Sequence, residues 1–116
     1  MHEGGIAQSI VEILAEVKEQ NELSCITSVT LKVGKMSGVM IYALEFALEA
    51  IKSEEEFIKN TKFNIISVDV KAKCSLCGKE YQFADSDEMN LLCPDCQMPL
   101  SIINGKELEI VDVEGK

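Results

Sequence analysis

Apolar residues near the start of the chain recur at the spacing of an α-helix. Neighbouring members of the set are four, three, one and three positions apart, which places them on one helix face. Polar residues, among them Glu12 and Glu16, occupy the opposite face. The pattern predicts an amphipathic helix that begins just after Gly4-Gly5 and ends near Asn21. Its apolar face consists of Ile6, Ile10, Ile13, Leu14 and Val17.

A strand and a second helix are predicted next. Val29, Leu31 and Val33 alternate with polar residues, as in a half-buried strand, and Gly34 ends this strand. Ser37 is a residue type that favours the N-cap position of a helix. The second helix then presents an apolar stripe formed by Met40, Leu44, Ala47, Leu48 and Ile51.

The remainder of the chain predicts several short strands. The first covers residues 63–70, and alternating aromatic residues predict another at 81–83. Asn104-Gly105 is a favoured type I′ turn, so it is predicted to join strands at 100–103 and 108–113 as a hairpin.

Two C-x-x-C motifs, separated by fifteen residues, lie between these strands. Each motif can direct two sulfurs at one ion, and two motifs complete a tetrahedron, so the spacing predicts a structural zinc site. A thioredoxin-like redox pair would need one such motif, and disulfides would need an oxidising compartment. The predicted zinc ligands are Cys74, Cys77, Cys93 and Cys96. The fifth cysteine, Cys25, is predicted to be a small buried apolar residue.

The order of elements predicts an α+β fold in which two helices lie on a small mixed β-sheet, with an inserted zinc-ribbon-like domain. Residues 1–71 and 100–116 are predicted to form the main domain, and residues 72–99 the zinc-binding domain. The core is small, so the insert is expected to depend on its metal for folding.

Composition narrows the function classes. The chain of 116 residues carries 11 basic and 20 acidic residues, a net charge of −9. Such a surface repels phosphate backbones and argues against nucleic-acid binding. No signal peptide and no apolar run of membrane-spanning length is visible. We therefore expect a cytoplasmic protein with reduced cysteines and without nucleic-acid or membrane partners.

The one histidine, His2, follows the α-amine of Met1. The amine, the imidazole and deprotonated amide nitrogens can surround a square-planar ion, a geometry that suits Ni²⁺ or Cu²⁺. Many proteins begin with Met-His, so this spacing alone is a weak signal, and a lone histidine is usually a surface residue. Glu3 alone would be a solvated carboxylate at a helix start.

Several segments together resemble the HypA/HybF family of hydrogenase nickel-incorporation proteins. Met1-His2-Glu3 and the helix behind it look like the family's opening, and residues 34–39 are similar to its Gly-x-x-Ser-Gly-Val turn. The two cysteine motifs lie where the family's zinc module lies, and residues 105–108 resemble its closing strand. The resemblance covers nearly the whole chain.

The resemblance implies a nickel metallochaperone with no catalytic activity of its own. It implies that Ni²⁺ is bound as transient cargo by the amine of Met1, by the imidazole and amide nitrogens of His2, and by the amide nitrogen of Glu3. The Glu3 carboxylate then helps to hold the terminus. The four cysteines bind a structural Zn²⁺.

The resemblance also implies partners. These are a HypB-type GTPase, expected to dock on the first helix, and the [NiFe]-hydrogenase large subunit. The implied oligomeric state is a monomer or a weak or domain-swapped homodimer.

Two departures from the family pattern bear on the nickel site. Gly4-Gly5 stands where the family usually has a bulkier residue and a serine, which loosens the terminus. Some members carry a histidine just after the second cysteine motif, whereas this chain has Gln97-Met98, so no further imidazole is supplied there.

Two other functions stay open on sequence grounds. A zinc-ribbon adaptor would bind only protein, and blocking the α-amine would leave its binding intact while abolishing that of nickel. A dithiol oxidoreductase would use the cysteines in redox chemistry, and tightly held stoichiometric zinc would exclude it.

Overall fold

The structure, a computed structural model, describes residues 3–84 and 91–116 of the chain. The chain divides into two compact units. The first unit comprises Met1–Lys32, Val39–Ile66 and Glu109–Lys116, and the second comprises Val33–Gly38 and Ser67–Leu108. The helices lie in the first unit, and the four predicted zinc ligands lie in the second.

Helix α1 spans Glu3–Gln20. Gly4 and Gly5, predicted to precede the helix, form part of its first turn. Ile13 was placed on the apolar face, but it is 47% exposed because it lies about 90° of helix rotation from the centre of the buried face. The buried residues of α1 are Ile6, Ala7, Ile10, Val11 and Leu14.

Helix α2 spans Ile41–Lys52 and buries Leu44 and Leu48. The predicted N-cap, Ser37, is wrong, because the N-cap residue is Met40 and no side-chain cap is made from this position. The N–H of Met40 instead donates to Oε2 of Glu3 at 3.3 Å. A carboxylate from α1 thus satisfies one of the N–H groups that a helix start leaves without an intrahelical acceptor.

The first sheet has the strand order β2-β1-β6, in which β1 spans Ile26–Gly34, β2 spans Lys62–Val68 and β6 spans Leu108–Gly115. Hydrogen bonds between β1 and β2 advance in the same direction along both strands, so the pair is parallel. Those between β1 and β6 advance in opposite directions, so this pair is antiparallel and the sheet is mixed.

The parallel β1–β2 pair needs a crossover connection, and α2 supplies it. A one-turn 3₁₀ helix, Glu56–Ile58, leads from α2 towards β2. The hydroxyl of Thr61 is buried just before β2 and donates to the carbonyl of Ile26 at 2.6 Å. The polar group therefore satisfies its bonding capacity within the core and fixes the start of the strand pair.

The second sheet has the order β4-β3-β5, and β3 is antiparallel to both neighbours. Here β3 spans Val70–Cys74, β4 spans Glu80–Phe83 and β5 spans Leu100–Asn104. The segment 63–70, predicted as one strand, forms β2 and β3 in different sheets, with Asp69 between them.

The predicted hairpin at Asn104-Gly105 is also wrong. Strand β5 pairs with β3, whereas β6 joins the sheet of β1. Gly105 adopts a φ of +119°, which favours glycine. The turn residues are therefore used where the chain passes from one sheet to the other.

Gly34 and Gly105 approach each other closely within the second unit. A Cβ added to Gly34 would lie 2.1 Å from the carbonyl oxygen of Gly105. The backbone around them is bonded on both sides, since the N–H of Met36 donates to Gly105 O at 2.6 Å. The N–H of Gly34 donates to Glu107 O at 2.7 Å. Only glycine fits this contact.

These elements confirm the predicted α+β class, with two helices, small mixed sheets and a four-cysteine cluster of zinc-ribbon type. The domain boundaries at residues 71 and 100 stay a prediction. Within the described residues, no helix is long and apolar enough to cross a membrane.

Replacing Gly34 by alanine should destabilise the protein by about 2 kcal/mol, because the new methyl group collides with backbone that cannot rotate away. Gly5→Ala is the matched control. Nothing lies within 4 Å of a Cβ at that position, and alanine favours a helix by up to about 1 kcal/mol. Urea unfolding followed by circular dichroism measures both, and equal stability of the two variants would contradict the close contact.

Candidate metal centre

The first cysteine motif is a tight turn that follows β3. The N–H of Gly78 donates to Cys74 O at 2.9 Å, and the N–H of Cys74 donates to Lys79 O at 2.9 Å. The N–H of Cys77 points at Cys74 Sγ, 3.5 Å away. Gly78 takes a φ of +78°, which closes the turn without a clash from a side chain.

The second motif repeats this hydrogen-bond pattern nineteen positions later. The N–H of Gln97 donates to Cys93 O at 2.7 Å, and the N–H of Cys93 donates to Met98 O at 2.8 Å. Gln97 has a φ of +59°, so it occupies the position that Gly78 occupies in the first motif. Residue types alone do not predict this equivalence, because glutamine rarely adopts a left-handed conformation.

The two turns bring together all four predicted zinc ligands. Their sulfur atoms lie within 4.8 Å of one another. The Sγ atoms of Cys77 and Cys93 are 3.7 Å apart, far beyond a disulfide bond of about 2.05 Å. All five cysteines are free, including Cys25, which is half-buried and not fully buried as predicted.

The cluster fits zinc by both chemistry and dimensions. A tetrahedral site with Zn–S bonds of about 2.3 Å has sulfur–sulfur edges of about 3.8 Å, close to the separation of Cys77 and Cys93. Four sulfur ligands favour Zn²⁺ over oxygen-seeking ions such as Mg²⁺. They also complete the tetrahedron, so no position is left for a reactive water, which is the pattern of a structural site.

The electrostatics of the four thiols favour a bound cation. A hydrogen bond from Tyr81, with help from the backbone N–H groups of Cys96 and Asp95, lowers the pKa of Cys93 to about 6. The backbone N–H of Cys77 likewise lowers the pKa of Cys74. The hydrogen bond with Cys77 raises the pKa of Cys96 to about 12. Four thiolates this close together would repel one another. A bound dication offsets the repulsion between their negative charges and allows all four sulfurs to ionise.

Residues around the sulfurs hold the two turns in place. The hydroxyl of Tyr81 lies 3.6 Å from Cys93 Sγ, and this contact raises the pKa of Tyr81, so its oxygen stays protonated and donates to the thiolate. Lys79 forms an ion pair with Asp95, which joins one turn to the other. Sequence reasoning placed Tyr81 on a strand but missed its contact with a ligand, since the pairing of β3 with β4 was not predicted.

A second polar cluster in this unit was also missed. Lys35 Nζ lies 2.6 Å from Asp69 Oδ1 and donates to Ala84 O at 2.6 Å. Gln82 Nε2 donates to Asp69 Oδ2 at 3.2 Å. The Lys35 hydrogen bond lowers the pKa of Asp69. The cluster fastens the segment Val33–Gly38 to the strands that lead to the cysteines.

The predicted nickel ligands are only partly visible. Met1 and His2 lie outside the described residues. Glu3 opens α1, and its carboxylate accepts the hydrogen bond from the N-cap residue of α2. It is therefore not the freely solvated side chain that its position alone suggests.

Comparison with known proteins resolves which family combines these features. The family model described as "Hydrogenase/urease nickel incorporation, metallochaperone, hypA" matches residues 1–115. The chain belongs to the HypA family. The description of the family model names it a metallochaperone family.

Individual HypA relatives match over almost their whole length. Hydrogenase maturation factor HypA from Crocosphaera subtropica is 35% identical over 98% of this chain and 95% of the relative. The protein of the same name from Aquifex aeolicus is 31% identical over 98% and 96%. The solution structure of the Ni metallochaperone HypA from Helicobacter pylori shares the fold, with a TM-score of 0.70 at 22% identity over 99% of this chain and 97% of that one.

We expect one Zn²⁺ per chain, and its removal should unfold the second unit while much of the helix signal persists. Cys93→Ser should lose the metal, whereas Cys25→Ser should keep it because Cys25 lies outside the cluster. Protons compete with zinc for the thiolates, so zinc should stay bound at neutral pH and leave only in acid, below the pKa of about 6 that Cys93 has without a metal. Metal analysis and circular dichroism measure these changes. A reduced, zinc-free protein with an ordered second unit would contradict the assignment.

Proposed function

We propose that this HypA-family protein binds Ni²⁺ through Met1, His2 and Glu3 and delivers it to a [NiFe]-hydrogenase large subunit in the cytoplasm. A HypB-type GTPase assists the delivery, and zinc at the four cysteines is structural. The observation that carries the proposal is the family match, which extends over residues 1–115 and so includes the Met-His-Glu opening. The nickel domain would be residues 1–71 and 100–116, and the zinc domain residues 72–99.

The chemistry of the opening residues supports nickel as the cargo. An α-amine, an imidazole and backbone amide nitrogens form consecutive chelate rings and offer the nitrogen ligands that square-planar Ni²⁺ prefers. The four cysteines are committed to a closed tetrahedron, so they leave no ligand for a second ion. Cargo and structural metal thus use different donor atoms.

The position of Glu3 supports different roles for its side chain and its backbone nitrogen. Its carboxylate accepts the hydrogen bond of Met40 N–H at 3.3 Å. The backbone nitrogen of Glu3 is then the atom offered to nickel, while the side chain fastens the start of α1 to the start of α2. This contact offsets the freedom that Gly4 and Gly5 bring to the same turn.

Nickel binding should require an uncapped terminus and should weaken in acid. The imidazole has an ordinary pKa of about 6.5 and the α-amine one of about 7.7–8.0, and both must lose a proton to bind metal. Calorimetric and visible-absorption titrations of the native protein should show a square-planar band that fades as the pH falls. His2→Ala and an N-terminal extension should each abolish the band, whereas a C-terminal extension should not. Equal affinity in all four proteins would contradict the Met1–His2 site and favour a zinc-ribbon adaptor.

Two variants of Glu3 separate a capping role from direct ligation by the carboxylate. Glu3→Gln keeps an oxygen that accepts the Met40 N–H, so nickel affinity should change little. Glu3→Ala removes the acceptor and should cost about 1 kcal/mol of stability together with some nickel affinity. The same titrations measure both. If Glu3→Gln weakens nickel binding as much as Glu3→Ala does, the carboxylate is itself a ligand.

The first helix offers a surface for the GTPase. Ile13 is 47% exposed on α1, and the carboxylates of Glu12 and Glu16 lie beside it. An apolar centre with a charged border is the usual composition of a protein interface. The surface belongs to the same helix as Glu3, so a partner bound there meets the helix that carries the nickel ligand.

Reversing both charges, Glu12→Lys with Glu16→Lys, should weaken binding of the GTPase at least tenfold at low salt. The control is Tyr42→Ala with Phe46→Ala, which removes the two most exposed aromatic side chains of α2. Calorimetry with the purified GTPase measures both affinities. Loss of binding only in the Tyr42→Ala, Phe46→Ala variant would show that the GTPase docks on α2 and not on α1.

A further inference from the structure

The four sulfurs of the zinc centre differ in their access to solvent. Cys74 is fully buried and Cys93 is 1% exposed. Cys96 is half-buried, whereas Cys77 is exposed. In each motif the first cysteine is therefore buried and the second is more exposed. The difference is larger in the first motif. A reagent in solution meets Cys77 first.

Hydrogen bonding reinforces this difference. Cys74 Sγ accepts from the backbone N–H of Cys77, and Cys93 Sγ accepts from the hydroxyl of Tyr81. Among the described residues, Cys77 Sγ receives no N–H or O–H hydrogen bond, and its polar contacts are with the sulfurs of neighbouring cysteines, Cys93 and Cys96 among them. A donor withdraws charge from a thiolate, so Cys74 and Cys93 are the weaker nucleophiles. No N–H or O–H donor in the described part of the chain reaches Cys77 or Cys96, and Cys77 is the more exposed of the two.

We propose that Cys77 is the modification site of the zinc centre: the thiolate that electrophiles and peroxides attack first, with release of the metal as the result. Tyr81 has the complementary role of shielding Cys93 from the same attack. The inference rests on the zinc centre proposed above but is independent of the nickel site.

The chemistry of the step is simple substitution. With an alkylating agent such as iodoacetamide, Cys77 Sγ forms an S–C bond, the C–I bond breaks and iodide leaves. With hydrogen peroxide, an S–O bond forms, the O–O bond breaks and hydroxide leaves, so sulfur is oxidised by two electrons to a sulfenic acid while the peroxide is reduced. Either product is a much poorer ligand than a thiolate. Zinc then has three thiolates, and the closed tetrahedron opens.

The test treats the zinc-loaded full-length protein with limiting iodoacetamide. Peptide mass spectrometry identifies the alkylated cysteine, and a chromogenic chelator follows zinc release. Cys77 should react at least about tenfold faster than Cys93, Cys74 or Cys96, with one zinc released for each Cys77 modified. Cys25 is counted separately, since it lies outside the cluster. Faster reaction at any of the other three ligands, or equal rates at all four, overturns the proposal.

Tyr81→Phe provides a second readout that leaves every ligand in place. The variant should keep one zinc but raise the alkylation rate of Cys93 several-fold relative to Cys77. Tyr42→Phe is the matched control, because it removes an exposed hydroxyl from α2 and should change neither rate. An unchanged Cys93 rate in Tyr81→Phe removes the shielding role.

Metal analysis before treatment distinguishes failure of the Cys77 proposal from failure of the zinc assignment. A chain with one zinc in which Cys77 is not the first to react contradicts only this inference. A chain that binds no zinc contradicts the zinc centre, and the inference fails with it.

Discussion

Convergence of four sulfurs at one point is the constraint on which the second unit depends. The hydrophobic cluster around the sulfurs has four buried members among the described residues, and two of them, Cys74 and Cys93, are cysteines; the others are Ala72 and Leu100. Apolar burial on this scale cannot stabilise a folded unit by itself. Thiolates held within 4.8 Å of one another repel, so an ion that neutralises them also binds the two turns together. A bound metal would therefore take the place of a larger apolar core.

Features set by neighbouring residues were predictable from the sequence, and features set by distant residues were not. Helix periodicity and the C-x-x-C motifs are local, so α1, α2 and the cysteine cluster were identified. The carboxylate that caps α2 belongs to Glu3, 37 residues before the N-cap residue. The residues next to the helix start suggest only Ser37, which is not the N-cap residue. The turn at Asn104-Gly105 has hairpin chemistry, yet strand pairing across the fold sends its two strands to different sheets. Ile13 shows that an apolar residue at the edge of a stripe need not be buried.

A structural metal and a cargo metal require ligands of different chemistry. A structural ion must stay, and four cysteine sulfurs within 4.8 Å of one another, two of them from buried residues, suit that purpose. A cargo ion must leave, and nitrogen ligands that take up protons near neutral pH release it more readily. In the proposed site Glu3 would serve the second task through its backbone nitrogen, because its carboxylate accepts a hydrogen bond at the start of α2. The acidic balance of the chain, with a net charge of −9, suits attraction of cations and partners other than nucleic acids.

The central claim is that one chain holds zinc and nickel at separate sites of unlike donor atoms. X-ray absorption at the zinc and nickel edges, recorded on one sample of native-terminus protein loaded with one equivalent of each metal, tests it most directly. We expect zinc surrounded by four sulfurs at about 2.3 Å and nickel surrounded by nitrogen without sulfur. Sulfur in the nickel shell, with a matching loss of sulfur around zinc, would show that both ions compete for the cysteines and would contradict the account.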